Sequence, residues 1–401
     1  MATYKYSGKT LQGNKTVAGV QKASSRDELE FRLSEEGIIL NSYSKQSFDL
    51  SAKFHALYKK DEITRLTRQM SVMISSGISV VETLDALEDQ IDDKKLLQVY
   101  QGIKLSIVSG ETIAASFGNH PAYFNGIYLS LLESGEISGN LDTSLERIAD
   151  YREKAEVINN KVKSALTYPA VVVLVAIGVV ALLITYIIPI FSTMYANFGA
   201  ELPALTRHVV NTSEFIKGNL SAILLILVLA AILVILTLNT KSARLIGGKL
   251  VLKTPVVKSL FLNILSSRFS RTMGVLLSSG IKLINAVEVS SKTVGNIYAT
   301  EKLAMVSTRL SEGEPLANSL AETNLFPKTI IKMSSAGEAT GNLGRVFLKS
   351  ADFYEKQVDI GVSAVNSLIE PLVIVFLGIF IAFILVAMYL PLFDLVGQLG
   401  I

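Results

Sequence analysis

The sequence predicts an all-α membrane protein: two repeated cytoplasmic six-helix bundles and three transmembrane helices, with a small mixed N-terminal appendage. Three observations carry that prediction. Half of the 401 residues are apolar, and the mean hydropathy of +0.43 is high for a soluble protein of this length. Three uncharged apolar runs, of 23, 19 and 23 residues, are long enough to cross a bilayer. Around them apolar residues recur at helical spacing, and the pattern of the first half returns in the second.

Composition also narrows the function. A formal net charge of +3 is too small to point to nucleic acid. Cysteine is absent, which excludes disulfides and thiolate metal sites. The three histidines, His55, His120 and His208, are not within helical reach of one another, so little is left for a zinc site or a histidine-based triad.

From the N-terminus, Met1 to Gly8 show no basic start followed by an apolar stretch. No signal peptide is expected, and the N-terminus is expected to stay cytoplasmic. Tyr4 and Tyr6 alternate with polar residues as in a strand, Leu11 to Gly13 suggests a turn, and Thr16 to Val20 a second short strand. Ser25 with Glu28 reads as a capping box opening a helix that Gly37 stops, and Ser42 to Lys53 reads as a polar linker.

The first bundle follows. Ile63, Leu66, Met70, Met73 and Ile74 share one helix face, which Gly77 terminates. Ser79 with Glu82 caps a second helix carrying Val81, Leu84 and Leu87. A third helix is expected over Leu96 to Val108, a short fourth around Ile113 to Phe117 and a fifth from Asn125 to Ser134. After a loop from Gly135 to Asn140, a long sixth runs through Leu145, Ile148 and Tyr151 toward Pro169.

The spans are Pro169 to Phe191, Leu220 to Leu238 and Pro371 to Phe393. At about 1.5 Å per residue the longer two reach roughly 34 Å, enough for the hydrocarbon core. They contain no Asp, Glu, Lys or Arg, which leaves an ion or proton path without support. Lys161 and Lys163 precede the first span, and Lys241, Arg244, Lys249, Lys253 and Lys258 follow the second. Only Arg207 and Lys217 lie between. The positive-inside rule therefore places both bundles in the cytoplasm. The division expected is 1–53 appendage and linker, 54–168 first module, 169–191 first span, 192–219 periplasmic loop, 220–238 second span, 239–370 second module, 371–393 third span and 394–401 periplasmic tail.

The repeat is explicit. Arg68 to Ile78, RQMSVMISSGI, matches Arg271 to Ile281, RTMGVLLSSGI, at seven of eleven positions and an offset of 203. After a one-residue slip, Gly135-Glu136 and Gly139-Asn140-Leu141 fall on Gly337-Glu338 and Gly341-Asn342-Leu343, and Pro169 falls on Pro371. A module followed by one crossing leaves the chain outside, so an unpaired middle span must return it before the copy begins.

These segments, with LLESGEISGNL at 131–141, MSSAGEATGNL at 333–343, the Tyr-Pro and Glu-Pro starts of the spans and the YKYSGKTLQGN opening, resemble the type II secretion F family. Its members are the PilC- or GspF-like inner-membrane platform proteins of type IV pilus and type II secretion machines. The resemblance covers essentially the full chain. It implies a non-enzymatic, multi-pass subunit of the bacterial inner membrane without cofactor. Its implied partners are a cytoplasmic hexameric ATPase, pilin or pseudopilin subunits and other inner-membrane assembly proteins, with a symmetric homo-oligomer. One departure is that Ser335 stands where Glu133 stands in the first copy.

No phosphate-binding loop is present: Gly8-Lys9-Thr10 and Gly248-Lys249-Leu250 both lack the leading glycine. Candidate partner contacts are Arg65 and Arg68 with their counterparts Arg268 and Arg271, read as exposed basic helix faces, and Glu136 with Glu338, read as loop carboxylates. Gly77, Gly280, Gly135, Gly337, Pro169 and Pro371 are expected to be structural, with Gly135 and Gly337 serving a positive φ. Glu133, Glu136 and Asp142 form a weak candidate calcium site. A channel or carrier moving a substrate between the spans is the alternative function.

Overall fold

The computed structural model describes residues 2–10, 16–23, 38–45, 59–190, 204–219 and 255–398, together with isolated positions. Three strands, β1 (Ala2–Thr10), β2 (Thr16–Ala23) and β3 (Ile38–Lys45), form an antiparallel sheet in the order β2-β1-β3. Ala2 pairs with Ala23, and Tyr4 pairs with Gln21 on one side and Lys45 on the other. The third strand corrects the sequence reading, which placed the start of a polar linker at Ser42. The expected turn at Leu11 to Gly13 and the helix between Ser25 and Gly37 lie outside the described residues, apart from isolated positions.

The first module comprises α1 (Lys60–Ser75), α2 (Val80–Glu88), α3 (Lys94–Val108), α4 (Ile113–Gly118), α5 (Gly126–Ser138) and α6 (Leu141–Leu182). After α7 (Ala204–Gly218), the second comprises α8 (Pro255–Ser278), α9 (Leu283–Thr293), α10 (Ile297–Ser311), α11 (Leu316–Glu322), α12 (Lys328–Ala339) and α13 (Leu343–Gln398). Local chemistry sets these boundaries. At the end of α1, Gly77 takes φ +87°, the Gly77 N–H donates to Ile74 and the Ile78 N–H to Met73. Gly280 repeats the arrangement at φ +79° with Leu277 and Leu276, a left-handed cap that costs a glycine nothing sterically. Ser79 and Glu82 form the reciprocal capping box that opens α2.

Ile63, Leu66 and Met70 of α1 are buried with Leu131 and Leu132 of α5 and Leu145 and Ile148 of α6. Phe117, Phe124 and Tyr128 pack together in the same core, Phe117 stacked on Tyr128 and Phe124 edge-on or tilted to both, with ring centroids 4.7 to 5.6 Å apart. In the second module Phe269, Phe326 and Phe347 fill the corresponding volume, and the two cores form one continuous apolar cluster.

Two expectations are corrected. Helix α5 continues through Glu136 to Ser138, so no loop starts at Gly135. The helices do not begin at the prolines either: Pro169 lies inside α6 and Pro371 inside α13. Each proline removes one backbone hydrogen bond, but breaking the helix at the edge of an apolar segment would strand several backbone groups, which costs more in lipid. The helical stretches Leu141–Ile190 and Leu343–Ala387 are the two among the described residues that are long and apolar enough to cross a membrane. Their outer side chains, such as Leu174 and Ile379, are exposed. Most of the expected span from Leu220 to Leu238 lies outside the described residues. The segment expected as a loop from 192 to 219 contains α7. Its Thr206 hydroxyl donates to the Ala387 carbonyl, and its Ser213 hydroxyl to the Ile184 carbonyl within the π-helical turn Leu183–Ile187.

Candidate functional site

Of the four arginines expected on open surface, only Arg65 is exposed, with its guanidinium 3.4 Å from the Gln69 side-chain oxygen. Arg68 reaches across to α6, where its Nε and Nη2 donate to the two oxygens of Glu153, both at 2.7 Å, and Nη2 also to Asp150 at 2.5 Å. Those bonds hold Arg68 more firmly in its charged form, and in return the Arg68 guanidinium holds the Glu153 carboxyl below the usual glutamate range. Arg271 reaches the equivalent carboxylates, its Nε and Nη2 both donating to one oxygen of Glu355, at 2.9 and 2.6 Å, and Nη2 also to Asp352 at 2.6 Å, but its own side chain is only 7% exposed. Arg268 is half-buried and donates to Asn159 of the first module at 2.7 Å, and burial lowers its pKa. These three arginines tie helices together, so the expectation of four open basic positions is corrected.

Glu136 and Glu338 do the same work in each copy. The Glu136 carboxylate accepts from the Ile113 and Ala114 amides, at 2.7 and 3.1 Å, at the start of α4. Glu338 accepts from Leu316 and Ala317, at 2.9 and 3.5 Å, at the start of α11. Each carboxylate satisfies orphan N–H groups and sits at the positive end of a helix dipole. Gly135 needs no positive φ. A Cβ there would lie 2.5 Å from the Ser144 hydroxyl oxygen, so the glycine permits the close crossing of α5 and α6. Gly337 allows the same crossing more loosely, its nearest neighbours being 3.1 to 3.2 Å away. Among the described residues no three carboxylate or histidine side chains are gathered for a metal, and Glu136 is already engaged by amides, which corrects the calcium reading of Glu133, Glu136 and Asp142.

Pattern reading missed the junction between the modules. A cleft of about 360 Å³ lies there, lined by Arg147, Asp150 and Lys154 of α6, Arg271 of α8, and Arg345, Lys349 and Asp352 of α13 among others. Both carboxylates are held by arginines, Asp150 by Arg68 and Asp352 by Arg271. Arg147 instead donates to the Ser278 carbonyl at 2.8 Å and the Ser279 hydroxyl at 2.7 Å, at the C-terminal end of α8. The result is a surplus of positive charge facing the cleft. Beside the junction Arg152 of α6 is half-buried, bonded to the Thr64 hydroxyl and the Lys60 carbonyl of the first module. Burial lowers its pKa, and burial with the neighbouring Arg152 and Arg268 lowers that of Lys60. The signal in the sequence was the spacing of Arg147, Lys154, Arg345 and Lys349 on two faces, but only the packing of α6 against α13 joins them.

The family described as type II secretion system (T2SS), protein F matches the chain twice, over residues 66–189 and 269–391. A type IV pilus assembly protein PilC of Myxococcus xanthus is 34% identical over 401 residues, covering 99% of this chain and 96% of that protein. The PilC of Thermus thermophilus is 31% identical over the whole of both chains. A type II secretion system protein F of Vibrio cholerae is 25% identical over 98% of each. On the double family match and these full-length similarities, the chain belongs to the type II secretion system protein F family.

Proposed function

We propose that this chain is a non-enzymatic inner-membrane platform for type IV pilus assembly, coupling a cytoplasmic hexameric ATPase to the insertion or extraction of pilin subunits. The observation that carries the reading is the continuity of α6 and α13 from bundle core into apolar span. A force on either module, passed through a single helix pinned by Arg68 or Arg271, reaches the membrane without a loop to absorb it. The pilus is favoured over the secretion pseudopilus because the full-length pilus assembly relatives share 31 to 34% identity, against 25% for the Vibrio cholerae secretion protein. In this reading three crossings place both modules and the N-terminus in the cytoplasm, and the chain works as a homo-oligomer with other inner-membrane assembly proteins. Arg65, the one exposed member of its set, and the cationic cleft are the surfaces offered to acidic partners.

The test is deletion of the gene with complementation, scored by surface pili and by copurification of the ATPase. Loss of pili restored by the wild-type chain is expected. Normal piliation in the deletion strain would reject the role. Solute flux through liposomes containing the chain alone would support a carrier instead.

A further inference from the structure

The junction cleft carries more positive charge than its own carboxylates neutralise. Arg147 and Lys154 of α6, Arg271 of α8, and Arg345 and Lys349 of α13 line it, against Asp150 and Asp352. Both carboxylates are already paired, Asp150 with Arg68 at 2.5 Å and Asp352 with Arg271 at 2.6 Å. The partners of Arg147, Ser278 and Ser279, bear no charge. Lys154, Arg345 and Lys349 are exposed and form no ion pair among the described residues. The repeat sharpens the imbalance: Arg147 and Lys349 are equivalent positions of the two copies, so the packing of α6 against α13 brings like charge to one cleft. Like charges set together cost free energy, which an anion between them recovers.

Spacing indicates what kind of anion fits. Arg147 and Lys154 stand two turns apart on α6, about 10 Å along its axis, and Arg345 and Lys349 one turn apart on α13. A single carboxylate or phosphate is too short to meet all of them, whereas a chain of phosphates offers each cation an oxygen. Tyr151, Val275 and Leu348 add an apolar wall, and a volume of about 360 Å³ suits a small organic ligand better than a bare ion.

Position along the helices separates a soluble ligand from a lipid. Lys154 precedes Pro169, where the first apolar run opens, by about four turns of continuous helix, and Lys349 precedes Pro371 by about six. That is roughly 20 to 35 Å from the hydrocarbon, whereas the headgroup layer is only about 5 to 8 Å deep.

We propose that the cleft binds a soluble nucleoside triphosphate, with its phosphates among the α6 and α13 cations and its base against Tyr151 and Leu348. The cations come from both modules, so the bound anion ties together the two helices that continue into the membrane. The role is binding without hydrolysis, since the lining carboxylates are engaged by arginines and the chain has no phosphate-binding loop. The inference deepens the reading of the cleft as a surface for acidic partners. It is tested on the purified chain, so its failure leaves the platform role standing.

The full-length chain in phosphatidylcholine nanodiscs is titrated with ATP, followed by calorimetry and by thermal unfolding. Saturable binding and a raised melting temperature are expected, with adenosine giving neither. Lys154→Gln with Lys349→Gln should weaken binding about tenfold or more. Lys328→Gln with Lys332→Gln, an exposed pair on α12 outside the cleft, should leave binding unchanged. The melting temperature of each variant without ATP establishes that it is folded. No binding at millimolar ATP would overturn the proposal, as would equal weakening by the two pairs, the mark of a response to net charge alone. Displacement of ATP by phosphatidylglycerol added to the nanodisc would overturn it in favour of a lipid headgroup. A poly-glutamate peptide that binds where ATP does not would overturn it in favour of an acidic protein segment.

Discussion

Arg68 and Arg271 occupy the same place in two copies of one module, yet their substitution should have different consequences. The Arg68 side chain is 32% exposed and Arg271 only 7%. Arg68→Met is expected to cost under about 1 kcal/mol, as a solvent-screened pair does. Arg271→Met should cost about 1–3 kcal/mol, because it leaves Asp352 and Glu355 facing each other at a partly buried site. Thermal unfolding of the detergent-solubilised chains compares the two, and equal losses would contradict the burial argument. A second expectation concerns pH. The folded-state pKa of Glu153 is depressed by Arg68, so its contribution is complete above the usual glutamate value and lost as pH falls through the folded value. Wild type should therefore lose stability on acidification below about pH 4.3. Arg68→Met should start lower at neutral pH and lose less over the same interval in an acid titration followed by circular dichroism.

At the scale of elements, the crossing of α5 over α6 and that of α12 over α13 differ in tightness. Gly135→Ala would push a Cβ into Ser144, whereas Gly337→Ala would place one 3.1 to 3.2 Å from Leu343 and Val346, a tight contact that a shift of a few tenths of an ångström relieves. The first is expected to destabilise by about 1–3 kcal/mol, as overpacking does, and the second by less. Gly135→Ala combined with Ser144→Gly should recover part of the loss, and a double-mutant cycle on melting temperature measures the coupling. If the double variant is no better than Gly135→Ala alone, the clash is not the cause. The crossing is fixed in turn by Glu136, whose carboxylate on α5 caps α4, so one helix positions both its neighbours.

For the whole molecule, the proposed topology makes a labelling prediction. Asn211 on α7 and Ala304 on α10 are both exposed. In intact spheroplasts, a thiol reagent that cannot cross the membrane should label Asn211→Cys and not Ala304→Cys, and lysis should make Ala304→Cys reactive. Labelling of both before lysis would break the three-crossing arrangement. The bonds from α7 to Ile184 and Ala387 tie the two long helices together near their far ends, and the modules share one apolar core.

How much was legible follows from the range of the forces. The helices of each module, the caps at Gly77, Gly280 and Ser79, and the apolar runs of α6 and α13 were determined by sequence, because periodicity, capping and lipid solubility act within a few residues. The duplication was legible for the same reason, since equal local patterns are read without knowing where they pack. What Arg68, Arg271, Glu136 and Gly135 do was decided only by tertiary structure. Their partners lie across the fold, as Arg68 to Glu153 and Glu136 to Ile113 show, and a charge looks equally solvated from sequence whether or not a carboxylate waits on another helix. Continuity of α6 through Pro169 was likewise a tertiary outcome, because the local cost of proline is offset by a long apolar helix that cannot be broken cheaply in lipid. The cationic cleft arises only when two similar bundles are set side by side, an arrangement that no single stretch of sequence encodes.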